Sequence, residues 1–187
     1  MKRVLIVCLL IITSCNSGQK EKKSPPIDVP ELYDYDVEER VKELGINLSE
    51  PPKPVANYVN SVRTGNLVFM AGKGPQDDQG NYITGKVGGD LTVEEGYDAA
   101  RRTAITQLSA IKAEIGDLNK VKRIVKVLGM VNCNPEFGNQ PEVINGFSDL
   151  MVEVFGERGK HARAAVGMMA LPRNIAVEIE VIVEVED

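Results

Sequence analysis

Histidine occurs once in this chain of 187 residues, cysteine three times, and basic residues are outnumbered 22 to 27 by acidic ones. One histidine, His161, without acidic or thiol neighbours at ligand spacing makes no metal site. Lys20-Glu21-Lys22-Lys23 is one close set of lysines, and most of the other basic residues are interleaved with acids. Sequence-independent affinity for nucleic acid comes mainly from neutralising phosphates, so an acidic chain without a basic stripe is a poor RNA binder. The segment Gly85-Lys-Val-Gly-Gly-Asp90 lacks the order of a phosphate-binding loop. Asp77-Asp78-Gln79-Gly80 lacks the remaining ligands of a calcium loop. Both read as turns.

The apolar run Val4 to Ile12 is too short to span a bilayer, which takes about 20 residues. It follows Lys2 and Arg3 and precedes Thr13-Ser14-Cys15, the anatomy of an export signal. The order Ile12-Thr13-Ser14-Cys15 resembles a bacterial lipobox, which implies a signal peptide over 1–14, lipidation at Cys15, and a protein held at a membrane by its N-terminal lipid alone. An ordinary secretory signal cut near Ser14 is the alternative. Asn16 after the cysteine implies, by the same resemblance, the outer membrane and the periplasm. Removing residues 1–14 takes away two basic residues and no acidic one, leaving 20 against 27, a balance of −7. With Cys8 in the signal and Cys15 lipidated, Cys133 stands alone and no intrachain disulfide can form. It is then either a buried small residue or a lone thiol.

Residues 15–54 read as a tether and a short helix. Asn16 to Pro30 is polar and flexible in composition. Asp36 with Glu39 makes a capping box before Val37, Val41 and Leu44 at helical spacing, and Gly45 supplies a stop. From 55 to 187 the chain is the size of one domain. Tyr58 to Val62 and Leu67 to Gly72 read as two strands about a Thr64-Gly65-Asn66 turn. Thr92 and Glu95 cap a long amphipathic helix through Tyr97, Ala100, Ala104, Leu108, Ile111 and Ile115. Val121 to Val131 reads as a central strand, and Pro141 opens a second helix that closes near Gly156.

The stretch from His161 to Val185 is the most informative part of the chain. Arg163 stands eight residues before a Leu171-Pro172 turn and fifteen before Glu178. From Val177 the alternation is strict, with Val177, Ile179, Val181, Val183 and Val185 on one face and Glu178, Glu180, Ile182 and Glu184 on the other. This block resembles the C-terminal signature of the RidA/YjgF family, the reactive-intermediate deaminases formerly called L-PSP endoribonucleases. The resemblance implies an α+β, chorismate-mutase-like fold: a mixed six-stranded sheet with two helices on one face, assembled as a homotrimer with ligand sites between subunits. A sheet covered on one side leaves a bare face, which subunit association would bury.

By that resemblance Arg163 grips a substrate carboxylate, a task suited to the planar guanidinium fork. Glu178 holds or activates water, and Tyr58 and Asn145 line the pocket. No cofactor or metal is implied. Family members that deaminate imines commonly carry serine where this chain has Ala71 and cysteine where it has Ala165. The implied reaction is hydrolysis of 2-imino or enamine acids to keto acids with release of ammonia. Two alternatives stand beside it: a non-catalytic binding protein that kept the carboxylate clamp, and an endoribonuclease, which the acidic balance disfavours. His161, two residues before Arg163, could reach the same face of an extended segment, although an exposed loop residue is the plainer reading.

Overall fold

A computed structural model describes residues 32–51, 54 and 56–186. The signal segment, Cys15 and most of the tether lie outside the described residues. In chain order the elements are α1 (Val37–Glu43), β1 (Ser61–Thr64), β2 (Leu67–Lys73), α2 (Val93–Ile115), β3 (Val121–Asn132), α3 (Gln140–Phe155), β4 (Ala162–Met168) and β5 (Val177–Val185). The strands form one mixed sheet in the order β1-β2-β5-β3-β4, in which only the β3–β4 pair is parallel. That pair is joined through α3, as a parallel crossover requires.

The sheet has five strands where six were expected. Between β2 and α2 the chain makes only isolated bridges, Gln76 with Tyr82, Thr84 with Ile175, and Val87 with Leu91 and Cys133. Gly80, Gly85 and Gly88 there take φ of 83°, 126° and 82°, a conformation that breaks an extended run. Asp77, Asp78 and Gln79 form part of a turn, with Asp77 Oδ1 accepting from the backbone of Gln79 and Asn81.

Hydrophobic period decides which face is covered. The alternating residues Val177, Ile179, Val181, Val183 and Val185 are buried with Val121, Ile124, Val127 and Val131 of β3, beneath Leu108 and Ile111 of α2 and Ile144, Phe147 and Met151 of α3. α2 begins with the full Thr92–Glu95 capping box, an arrangement worth about 1 kcal/mol. The two long helices approach so closely that a side chain at Gly146 would collide with the backbone carbonyl of Tyr97. On the other face Val62, Phe69, Val166 and Met168 are exposed, so an apolar sheet surface remains uncovered.

The N-terminal helix belongs to this core. Val37 and Val41 are buried, the backbone N–H of Val37 donates to Asn119 Oδ1 at 2.9 Å, and Glu38 pairs with Lys112. The Tyr33 and Tyr35 hydroxyls donate to the carbonyls of Val121 and Val154. The expected Asp36–Glu39 box is half formed: Asp36 caps the N–H groups of Glu38 and Glu39, while the Glu39 carboxylate pairs with Lys42 instead.

Candidate functional site

Two of the four site residues meet at the edge of the sheet. Arg163 on β4 is in register with Val127 and, across it, Val181, both buried, so its side chain projects on the helix-covered side and reaches α3. Nη1 donates to Asn145 Oδ1 at 2.9 Å and to Ser148 Oγ at 3.0 Å, and Nη2 lies 3.5 Å from the Pro141 carbonyl. All three acceptors are neutral. Among the described residues Arg163 faces no carboxylate, so its charge is not spent on a surface ion pair.

His161 joins this cluster and is not an exposed loop residue. It is half-buried, its ring stands edge-on to Phe147 at 6.4 Å, Nδ1 lies 2.6 Å from the Gly159 carbonyl, and Nε2 lies 3.1 Å from Ser148 Oγ. A carbonyl only accepts, so Nδ1 carries the proton and Nε2 accepts from the serine hydroxyl. The bonds then run in one direction, from Arg163 to Ser148, from Ser148 to His161, and from His161 to Gly159. Burial first, and the Arg163 charge after the opposing Gly159 hydrogen bond, holds the imidazole below the ordinary histidine range, which keeps it in the neutral form this relay needs.

Glu178 and Tyr58 lie elsewhere. Glu178 on β5 is in register with Met130 and, through it, Val166, on the face without helices. Together with Tyr58 it lines a cavity of about 350 Å³ whose other walls include Asn60, Lys73, Tyr82 and Arg173. A bulge between Met70 and Lys73 shapes it: the carbonyl of Ala71, at this irregularity, accepts from the buried Gln107 Nε2, which also donates to the Ile179 carbonyl. Gly72 then passes against the Glu178 carboxylate, where any Cβ would collide with it. Burial, and secondarily Glu180, pushes the Glu178 carboxyl above the usual carboxylate range. Among the described residues it has no cationic partner, and Tyr58 is 52 % exposed.

Within one chain the four residues therefore make two half-sites. From the Arg163 row to the Glu178 row is three residues along β3 and two strands across, roughly 14 Å between Cα atoms at ordinary strand spacing, and on opposite faces. Lys73, Tyr82, Arg173 and Ser148 were not singled out from sequence. Arg173 carried one signal, its place directly after Leu171-Pro172; it takes φ 57° and lies over the Tyr82 ring at 5.6 Å. Ala165, between the two half-sites on β4, is half-buried, and Cys133 is buried, the first of its two alternatives.

A family model described as "YjgF/chorismate_mutase-like, putative endoribonuclease" matches residues 38–185. The chain belongs to this YjgF/RutC/RidA family. It is 44% identical over 148 residues to Protein TCP17 of Trypanosoma cruzi, covering 79% of this chain and 92% of that protein. The crystal structure of Atu1372 from Agrobacterium tumefaciens, a protein of unknown function, superposes with a TM-score of 0.74 at 45% identity, covering 80% of this chain and 94% of that one. A 2-iminobutanoate/2-iminopropanoate deaminase from Dermatophagoides farinae is 30% identical over 136 residues, covering 72% of this chain and 91% of that protein. The YjgF-type fold, including α1, thus accounts for nearly all of the described residues.

Proposed function

We propose that this protein hydrolyses small 2-imino or enamine acids to 2-keto acids and ammonia, at sites completed between the subunits of a homotrimer. The observation that carries the reading is the split of Arg163 and Asn145 from Glu178 and Tyr58. Each pair is accessible and chemically incomplete, and the uncovered apolar sheet face supplies a surface on which a second copy could bring one pair to the other. The 30% identity to a named iminobutanoate deaminase supports the chemistry.

In this reading Arg163 binds the carboxylate through two hydrogen bonds, with Asn145 and Ser148 fixing the plane of its guanidinium. The Glu178 carboxylate of the facing subunit holds a water and takes a proton from it as the oxygen adds to the imine carbon. That proton passes to nitrogen, the proton left on the added oxygen follows it as the carbon–nitrogen bond breaks, and ammonia leaves as the carbonyl forms. The absent polar groups at Ala71 and Ala165 favour a second reading, a binding protein that retains the clamp without turnover. RNA cleavage is opposed by the acidic balance of the chain. The lipobox-like order of Ile12 to Cys15 supports, as part of this proposal, a domain outside the cytoplasm on a lipid tether at Cys15, with the outer membrane favoured. Reactive imino acids, by the family resemblance, arise in the cytoplasm, so this location too fits a binding protein.

Subunit complementation tests the shared site. Arg163→Ala and Glu178→Gln proteins should each be inactive in ammonia release, while a mixture unfolded and refolded together should regain part of the activity, because some interfaces then hold both intact residues. Light scattering should give about three times the chain mass. A mixture as inactive as its parents, with an active wild type, rejects the shared site; a monomer at high concentration rejects the assembly.

A further inference from the structure

The bulge in β2 is held from behind by one side chain. Between Met70, opposite Val181, and Lys73, opposite Ile179, β2 takes three steps to the two of β5, so the hydrogen bonds between the strands fall out of phase there. Gln107 of α2 meets this gap from the helix side. Its Nε2 donates to the Ala71 carbonyl at 3.0 Å and to the Ile179 carbonyl at 2.7 Å, one acceptor on each strand. The Ala71 N–H in turn donates to the Asn60 carbonyl at 2.9 Å. Thr103 and Ser109, the other buried polar residues of α2, bond carbonyls of their own helix, those of Ala99 and Ile105.

Both acceptors are carbonyls, which cannot donate, so the amide is oriented with its nitrogen toward the strands. Gln107 Oε1 then has no hydrogen-bond partner among the described residues, although the side chain is fully buried. A buried acceptor without a donor costs free energy, and an apolar side chain of the same size would fill that space without the cost. What the amide adds is its two donors. They grip the peptide unit between Ala71 and Gly72, and the residue that follows Glu178. Gly72 lies so close to the Glu178 carboxylate that a Cβ would collide with it, and burial is the main cause of the raised Glu178 pKa.

We infer that Gln107 is a positioning residue for Glu178: acting through the backbone of β2 and β5, it fixes the bulge that lays Gly72 against the carboxylate and holds that carboxylate in place. The inference rests on the proposed hydrolysis for the role of Glu178 as the base. Gln107 touches neither water nor substrate in that reaction, since it lies on the helix-covered side and Glu178 projects on the other. Without its two N–H groups the Ala71 and Ile179 carbonyls lose their donor, β2 relaxes away from Glu178, and solvent reaches the carboxylate past Gly72. The titratable groups around Glu178 are Glu180 on β5, Lys73 at the end of β2, and Tyr58, Tyr82 and Arg173 outside the strands. Its neighbours across β3 and β4 are the neutral Met130 and Val166. Replacing Gln107 changes none of these, so a change at Glu178 reports the bulge.

Carbon NMR of the glutamate carboxyl groups tests this on the full chain, with Glu178→Gln identifying the Glu178 signal. In the wild type that carboxyl should titrate above the usual carboxylate range. In Gln107→Met, similar in size and without donors, its midpoint should move down toward that range. For ammonia release from 2-iminopropanoate generated in situ, kcat should fall about tenfold to a hundredfold while KM stays within about twofold of wild type, because the Arg163 clamp is untouched. Equal midpoints in the two proteins, or an unchanged kcat in an active enzyme, overturn the inference. A second measurement needs no variant: the side-chain amide signals of Gln107 in the wild type should exchange slowly with solvent and shift with the Glu178 midpoint, since their acceptor is the carbonyl of the next residue. Amide signals that ignore that midpoint overturn the inference even where Gln107→Met does not fold. Midpoints that differ as expected, with no ammonia released by the wild type, uphold the positioning role and remove the deaminase reading.

Discussion

Arg163 of β4 and Asn145 of α3 are joined at 2.9 Å, guanidinium to amide oxygen, so the orientation of the charged fork is set by how one helix lies against the edge of the sheet. The same helix contributes Ser148, which links the fork to His161. An arginine held by neutral acceptors keeps its charge available for an anion.

Replacing Arg163 by lysine keeps the charge and removes the fork. Affinity for a small carboxylate such as pyruvate should fall by about 1.5–3 kcal/mol, the worth of a hydrogen bond to a charged group. Titration calorimetry on wild type and variant measures this, and equal affinities would remove Arg163 from the site.

Glu178→Gln should leave carboxylate binding nearly intact and abolish turnover, since it takes away the base and not the clamp. Because burial raises the Glu178 pKa, wild-type activity should decline with falling pH already above the usual carboxylate range. The stability effect has the opposite sign from a salt-bridged acid. A raised folded pKa contributes stability below the unfolded value and loses it as pH rises through the folded one. The glutamine variant should therefore melt higher than wild type at neutral pH, with the gap closing at acid pH. Thermal melts at the two pH values check it, and a glutamine variant less stable at neutral pH would contradict the burial argument.

His161 works in the other direction. Its pKa is lowered in the fold, so the stability it contributes is present above the ordinary histidine value and is lost as pH falls through the folded one. Protonation would also turn Nε2 into a donor and break its bond from Ser148. His161→Gln should flatten the part of the stability profile just below the histidine range. Denaturant midpoints across that window report it; profiles of identical shape would deny the relay a role.

Cys15→Ala in the native host should give a chain that is unprocessed or soluble, because the acyl chains, each contributing about 0.8 kcal/mol per buried CH2, would be the only membrane contact. Acyl labelling with cell fractionation decides between outcomes. A labelled band of undiminished intensity in the variant would refute the anchor.

Local pattern was enough for much of this molecule. The period-two alternation of Val177 to Val185 told which side of β5 is core, because a strand sends successive side chains to opposite faces and only one face here is apolar. The Thr92–Glu95 box and the three-to-four spacing that follows defined α2, since capping and amphipathicity act within a few turns. The motif spacing around Arg163 and Glu178 identified the family.

Strand order and spatial assembly were beyond such pattern. Nothing local tells that β3 lies between β4 and β5, nor that the rows of Arg163 and Glu178 fall an odd three residues apart along it, the offset that sends them to opposite faces. The bulge after Met70 and the enclosure of Lys73 against Asn60 likewise depend on which strands pair and where their pairing stops. Residue type and spacing determined which side chains could do chemistry and which face each strand would bury. Tertiary structure decided which of them share a cavity, because burial, and with it the protonation of Lys73, Glu178 and His161, is a property of the surroundings that distant parts of the chain create.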